Sequence, residues 1–214
     1  MRTDDFIDVL ANDVEAGRET APSRRLALVA MFGALAALVL VLGWLHARQD
    51  LAQAMLGPMF WMKAVYTALL GAAGYLAVER LARPDGSGRR GWIAAALVFG
   101  LCASAGLYQA LVSSDVQAAL RMLHGHSWRS CSPRIFVLGL PMLALGLWVL
   151  RGLAPTRPSL AGFAMGLFSG GVVATVYGLH CPEHTFTFIA LWYSLGVLSL
   201  GAVGALVGRW VLRW

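Results

Sequence analysis

Charge is scarce in this 214-residue chain: 13% of residues are charged, 58% are hydrophobic, and the mean hydropathy is +0.67. A soluble domain would carry about 25% charged residues, so the bilayer rather than water is the expected solvent and the expected lipid partner. Lysine is nearly absent, with Lys63 alone against 16 arginines. In a membrane chain a basic excess reports topology before it reports nucleic-acid binding, and no direct nucleic-acid partner is expected. Ionisable groups are almost missing from the long apolar stretches, where only Lys63 and the polar Gln109 come near. Pumps and proton-coupled carriers mark their pathways with such groups. There is no Gly-rich phosphate loop, no HExxH helix and no CxxC pair. Catalysis and transport are both disfavoured, and no cofactor is expected apart from a transient metal ion at the cysteines.

Six stretches are long and apolar enough to span: residues 26–45, 60–78, 92–112, 135–150, 160–179 and 186–207. About twenty helical residues at about 1.5 Å each cross a hydrocarbon core of about 30 Å. The fourth stretch is short and holds Pro141, which predicts a kink or recruitment of loop residues at its outer end. Lys63 lies near the start of the second and is expected to snorkel to the interface. With the N-terminus inside, twelve basic residues are cytoplasmic and five (Arg48, Lys63, Arg121, Arg129, Arg134) are outside. The positive-inside rule then puts both termini in the cytoplasm. Ser23-Arg24-Arg25-Leu26 has the look of a twin-arginine export signal. The acidic leader before it and the long uninterrupted span after it favour a retained anchor.

Residues 1–25 form the one sizeable cytoplasmic segment, with six acids and four arginines, and residues 26–214 form the membrane domain. Thr3 can cap a short helix whose first turn holds Asp4 and Asp5, which suit the positive end of its dipole. Phe6, Ile7, Leu10 and Val14 share a face, with Asp8 and Glu15 off it. The expected fold is therefore an all-α, six-transmembrane-helix bundle with a short cytoplasmic N-terminal amphipathic helix. Anionic lipid would repel so acidic a helix, so a basic groove on a partner protein is its expected site. Gly162, Gly166 and Gly170, with Gly204 and Gly208, repeat every four residues and predict close helix packing.

Cys131 and Cys181 are expected in short polar loops, Ser127-Trp128-Arg129-Ser130-Cys131-Ser132-Pro133 and His180-Cys181-Pro182-Glu183-His184, on one non-cytoplasmic face. Antiparallel neighbours would bring the two sulfurs together. Cys102 falls mid-span and is given no role. Three readings of the pair stay open: a structural disulfide, a redox switch, and a metal site. Closing about 50 residues would restrict the unfolded chain by about 4 kcal/mol. His124, His126, His180, Glu183 and His184 surround the cysteines, and thiolates with imidazoles suit thiophilic ions. Cys131, Cys181, His180 and His184 are the candidate metal ligands. A small transporter or channel with a structural disulfide is the competing reading from another class.

Several blocks follow in order along the chain: Thr3-Asp4-Asp5-Phe6-Ile7-Asp8-Val9-Leu10, Ser127-Trp128-Arg129-Ser130-Cys131, and Arg151-Gly152-Leu153-Ala154-Pro155-Thr156-Arg157-Pro158. They continue through Gly162-Phe163-Ala164-Met165-Gly166, Tyr177-Gly178-Leu179-His180-Cys181-Pro182-Glu183 and Trp192-Tyr193. On these blocks the sequence resembles the NrsF-like negative regulators of sigma-F, multi-span anti-sigma factors of proteobacterial inner membranes. The resemblance implies a protein that holds an extracytoplasmic-function sigma factor silent at the membrane until metal or oxidant stress releases it. It implies sensor roles for Cys131 and Cys181, and sigma binding by the segment with Asp4, Asp5, Phe6, Ile7, Asp8, Leu10 and Val14.

Overall fold

The computed structural model describes residues 22–83, 86–153 and 155–213. The expected helix over residues 3–15, with its partner-binding candidates, lies outside them. The described residues hold helices and no strands. They are α1 (Pro22–Leu45, closing in a π-turn over Val41–Leu45), α2 (Leu51–Leu56), α3 (Pro58–Leu81) and α4 (Arg89–Leu111). Then follow α5 (Val116–His124), α6 (Trp128–Arg151), α7 (Pro158–Tyr177) and α8 (Phe186–Val211, with a π-turn over Ile189–Tyr193). Among the described residues, six helices are long and apolar enough to cross a membrane, with α5 and α6 counted together as the fourth.

Local chemistry sets several helix starts. Pro58 and Pro158 open α3 and α7, where a missing N–H costs nothing and the fixed φ already suits a helix. Asp115 caps α5 by accepting the Ala118 N–H at 2.6 Å, and Thr185 caps α8 through the Phe188 N–H at 3.3 Å. Helix α6 begins at Trp128, well before the apolar run at Ile135, and takes in Pro133 as well as Pro141. The expectation that Cys131 sits in a polar loop is thereby corrected: it lies in the second turn of α6, fully buried. The polar Trp128–Arg134 stretch is helical because its inner face, Cys131 and Ser132, is covered by protein.

Helix α7 is the centre of the bundle, with 67% of its apolar window buried, whereas α4 lies at the edge with 17%. The reason is glycine. A Cβ on Gly162 would collide with the Gly204 carbonyl, and one on Gly166 with the Leu200 carbonyl, so α7 and α8 meet backbone to backbone. On the other side of α7, Gly171 meets Gly71, and Gly74 lies against the Phe168 backbone. Arg24, Arg25, Arg80, Arg83, Arg89, Arg90, Arg151, Arg157, Arg209 and Arg213 fall at one end of these alternating helices. Cys131, Cys181, Lys63 and Arg48 fall at the other.

Candidate functional site: a buried thiol pair

The site is built where the α7–α8 loop folds over the start of α6. Cys181 in that loop and Cys131 on α6 are both fully buried. Both are free thiols, and their side chains are in direct contact, each within reach of the other's hydrogen bond. Ser127 Oγ lies 4.0 Å from the Cys181 sulfur. Two tyrosines back the pair, Tyr177 and Tyr193, with ring centroids 5.9 Å apart. Both hydroxyls are buried and reach no hydrogen-bond partner of ordinary geometry. Arg134 stands nearest Tyr177, and the Cys181 sulfur nearest Tyr193.

The loop is fastened from three sides. Lys63 Nζ, in the second turn of α3, donates to the carbonyls of Cys181 at 2.9 Å and Glu183 at 3.3 Å. Arg48, between α1 and α2, donates through its backbone to Leu179 O at 3.1 Å and through its side chain to Cys181 O at 3.4 Å. The Arg48 guanidinium also grips Asp50 with two 2.6 Å bonds, which holds the Asp50 carboxyl below its ordinary value. On the third side, Glu183 Oε1 accepts the His126 N–H at 2.7 Å, the Ser127 N–H at 2.9 Å and the Ser127 hydroxyl at 3.1 Å. That carboxylate satisfies donors at the N-terminal end of α6, where negative charge is favoured. Gly125, with φ +55°, makes the close approach: a Cβ there would press on the Glu183 carboxylate and the Phe188 ring.

Lys63 is therefore not a snorkelling residue, as its position near the end of an apolar segment suggests. It is 2% exposed, held between the loop carbonyls, with its ammonium 5.8 Å from the Tyr193 ring centroid. Burying an ammonium without compensation costs several kcal/mol, so the two carbonyls and the ring fix where the loop must sit. The Cys181 thiol is held below its ordinary value. The Cys131 thiol bonded to it is the first cause, and the Lys63 charge, the Tyr193 hydroxyl and the Glu183 backbone N–H act in the same sense against burial. These contacts favour the thiolate on Cys181, with Cys131 as its immediate neighbour.

The histidines are placed differently. His180 is engaged at both ring nitrogens: Arg134 donates to Nε2 at 3.0 Å and Nδ1 donates to His46 O at 2.8 Å. His46 sits at φ +62°, an uncommon conformation for a residue other than glycine. His124, His126 and His184 are exposed, and His124 packs on the Trp128 ring at 5.4 Å. Among the described residues, no group of three or more His, Cys, Asp or Glu is arranged to hold a metal ion. Of the four candidate ligands, only Cys131 and Cys181 face each other. Lys63 and Glu183 were the residues the sequence pointed to least. The available signals were that Lys63 is the single lysine in the chain and that Glu183 is the single acid after Asp115.

A multi-helix protein with a thiol pair at one end and arginines at the other matches a regulatory family. The pattern of the family described as "Negative regulator of sigma F" covers residues 10–214. The chain is 77% identical to the anti-sigma-F factor NrsF of Caulobacter vibrioides, over the full length of both. It is 42% identical to a probable anti-sigma-F factor NrsF of Azospira oryzae, again over the full length of both. No solved structure matches. The chain belongs to the NrsF family of negative regulators of sigma F.

Proposed function

We propose that this protein is an inner-membrane anti-sigma factor that sequesters an extracytoplasmic-function sigma factor through residues 1–25 and releases it when Cys131 and Cys181 are modified outside the membrane. The observation that carries the binding half is the full-length 77% identity to an anti-sigma-F factor. Six helices of spanning length and the arginine bias support a bundle with both termini inside. Sigma factors expose basic surface for nucleic acid and polymerase, and the acidic, apolar-faced segment around Asp4, Asp5, Phe6, Ile7, Asp8, Leu10 and Val14 complements it.

The sensing half rests on two free thiols in contact. An oxidant takes two electrons and two protons from the pair, which becomes a Cys131–Cys181 disulfide. A thiophilic metal ion bridging the same sulfurs is the competing chemistry. Either event alters a loop tied to α1, α3 and α6, and a difference of about 1–3 kcal/mol between two bundle arrangements changes partner affinity about 5–150-fold.

The test is co-purification of the cognate sigma factor with the full-length protein and with Phe6→Ala/Leu10→Ala. The full-length protein should retain the sigma factor and the double variant should lose it. Equal retention by both overturns the assignment to residues 1–25. For sensing, thiol trapping in intact cells before and after oxidant should show the pair closing as the sigma factor is released. Release with both thiols still trappable overturns the redox step, and their protection by cadmium alone assigns the metal chemistry instead.

A further inference from the structure

We propose that Lys63 is the positioning residue through which the state of the Cys131–Cys181 pair reaches α3, and through it the rest of the bundle. This rests on the sensing reading above and names its coupling element.

The geometry is unusual for a lysine in an apolar helix. Its ammonium is buried, and its two hydrogen bonds both go to backbone carbonyls of the loop that carries Cys181. One acceptor is the carbonyl of Cys181 itself. That oxygen also receives the Arg48 guanidinium at 3.4 Å, so two cations, one from α3 and one from the α1–α2 connection, converge on the Cys181 backbone. Neither bond is local: Lys63 and Cys181 are 118 residues apart in the chain. Inside α3 the same turn is tied onward, because Thr67 accepts or donates at 2.8 Å with Thr175 of α7 and bonds back to Lys63 O at 3.1 Å. One turn of α3 thus fastens the loop to α3 through Lys63 and α7 to α3 through Thr67.

When the two sulfurs bond, the Cys181 backbone must follow its sulfur toward α6. The Lys63 ammonium then loses an acceptor in a place where water does not reach it. It is left with the Glu183 carbonyl alone, and a half-satisfied buried ammonium is costly, so α3 has to shift with the loop or release it. A surface lysine would simply turn to solvent.

The experiment compares sigma-factor retention by the full-length membrane protein, reduced and after treatment with diamide, while mass spectrometry follows the Cys131–Cys181 bond. Wild type should show a retention ratio between the two states of at least 5-fold. Lys63→Met should close the same disulfide and yet bring that ratio to within 2-fold of unity, whichever state it is fixed in. Lys63→Arg, which keeps the charge and the donors, should restore the ratio. A wild-type ratio in Lys63→Met overturns the inference. So does failure of the disulfide to form in a Lys63→Met protein that still reaches the membrane, since Lys63 would then only build the site. If Lys63→Met does not accumulate, Lys63→Gln is read by the same criteria. If wild type itself shows no redox-dependent ratio, the sensing reading fails, and the inference fails with it.

Discussion

Glu183 accepts the Ser127 N–H at 2.9 Å, so the loop that carries Cys181 caps the helix that carries Cys131. The two thiols are held together by a contact that involves neither sulfur. Their proximity is built into the backbone and does not depend on a disulfide.

Removal of that cap should be felt. Glu183 is 6% exposed and satisfies three donors. Glu183→Ala removes the acceptor of two part-buried N–H groups and a hydroxyl, at about 1 kcal/mol or more. Glu183→Gln keeps an acceptor oxygen and should lose less. Thermal unfolding of the detergent-solubilised proteins should rank them wild type, Gln, Ala, and an equal midpoint for wild type and Ala would refute the capping role.

Cys181 should be the more reactive thiol, and the pH dependence carries a definite sign. Its value is lowered from that of a free thiol. Alkylation of Cys181 should therefore rise with pH, and reach its plateau at a lower pH than that of a free thiol. Cys131→Ala removes the first cause of the depression and should move the inflection upward. Site-resolved mass spectrometry after short pulses of iodoacetamide reads both curves.

Glycine substitutions should separate by position. Gly162→Ala drives a methyl into the Gly204 carbonyl, with a cost of about 1–3 kcal/mol or more. Gly100→Ala on α4 meets nothing within 4 Å and should be neutral or stabilising by up to about 1 kcal/mol. Membrane accumulation and melting temperature of the two variants give the comparison.

Hydropathy made the six long helices legible, and their ends lie within about four residues of those expected except at the fourth, where α6 starts at Trp128 instead of residue 135. The site was legible in part. Cys131 and Cys181 stood out because both sit in polar stretches beside apolar ones. The helical state of Cys131 did not, because residues 128–134 look like a loop until the covering α7–α8 loop is in place. Lys63 was misleading for the same reason. A lone cation near the end of an apolar run has the same local pattern whether it reaches water or a carbonyl more than a hundred residues away. The N-terminal segment was read from charge and spacing alone.

The glycine seam between α7 and α8 has a mechanical consequence. Where Gly162 faces Gly204 and Gly208 faces the Pro158 carbonyl, no rotamers stand between the two backbones to absorb a displacement. The pair runs from the cysteine loop at one end to the arginine-rich face at the other, and where glycine meets glycine the two helices can move only together.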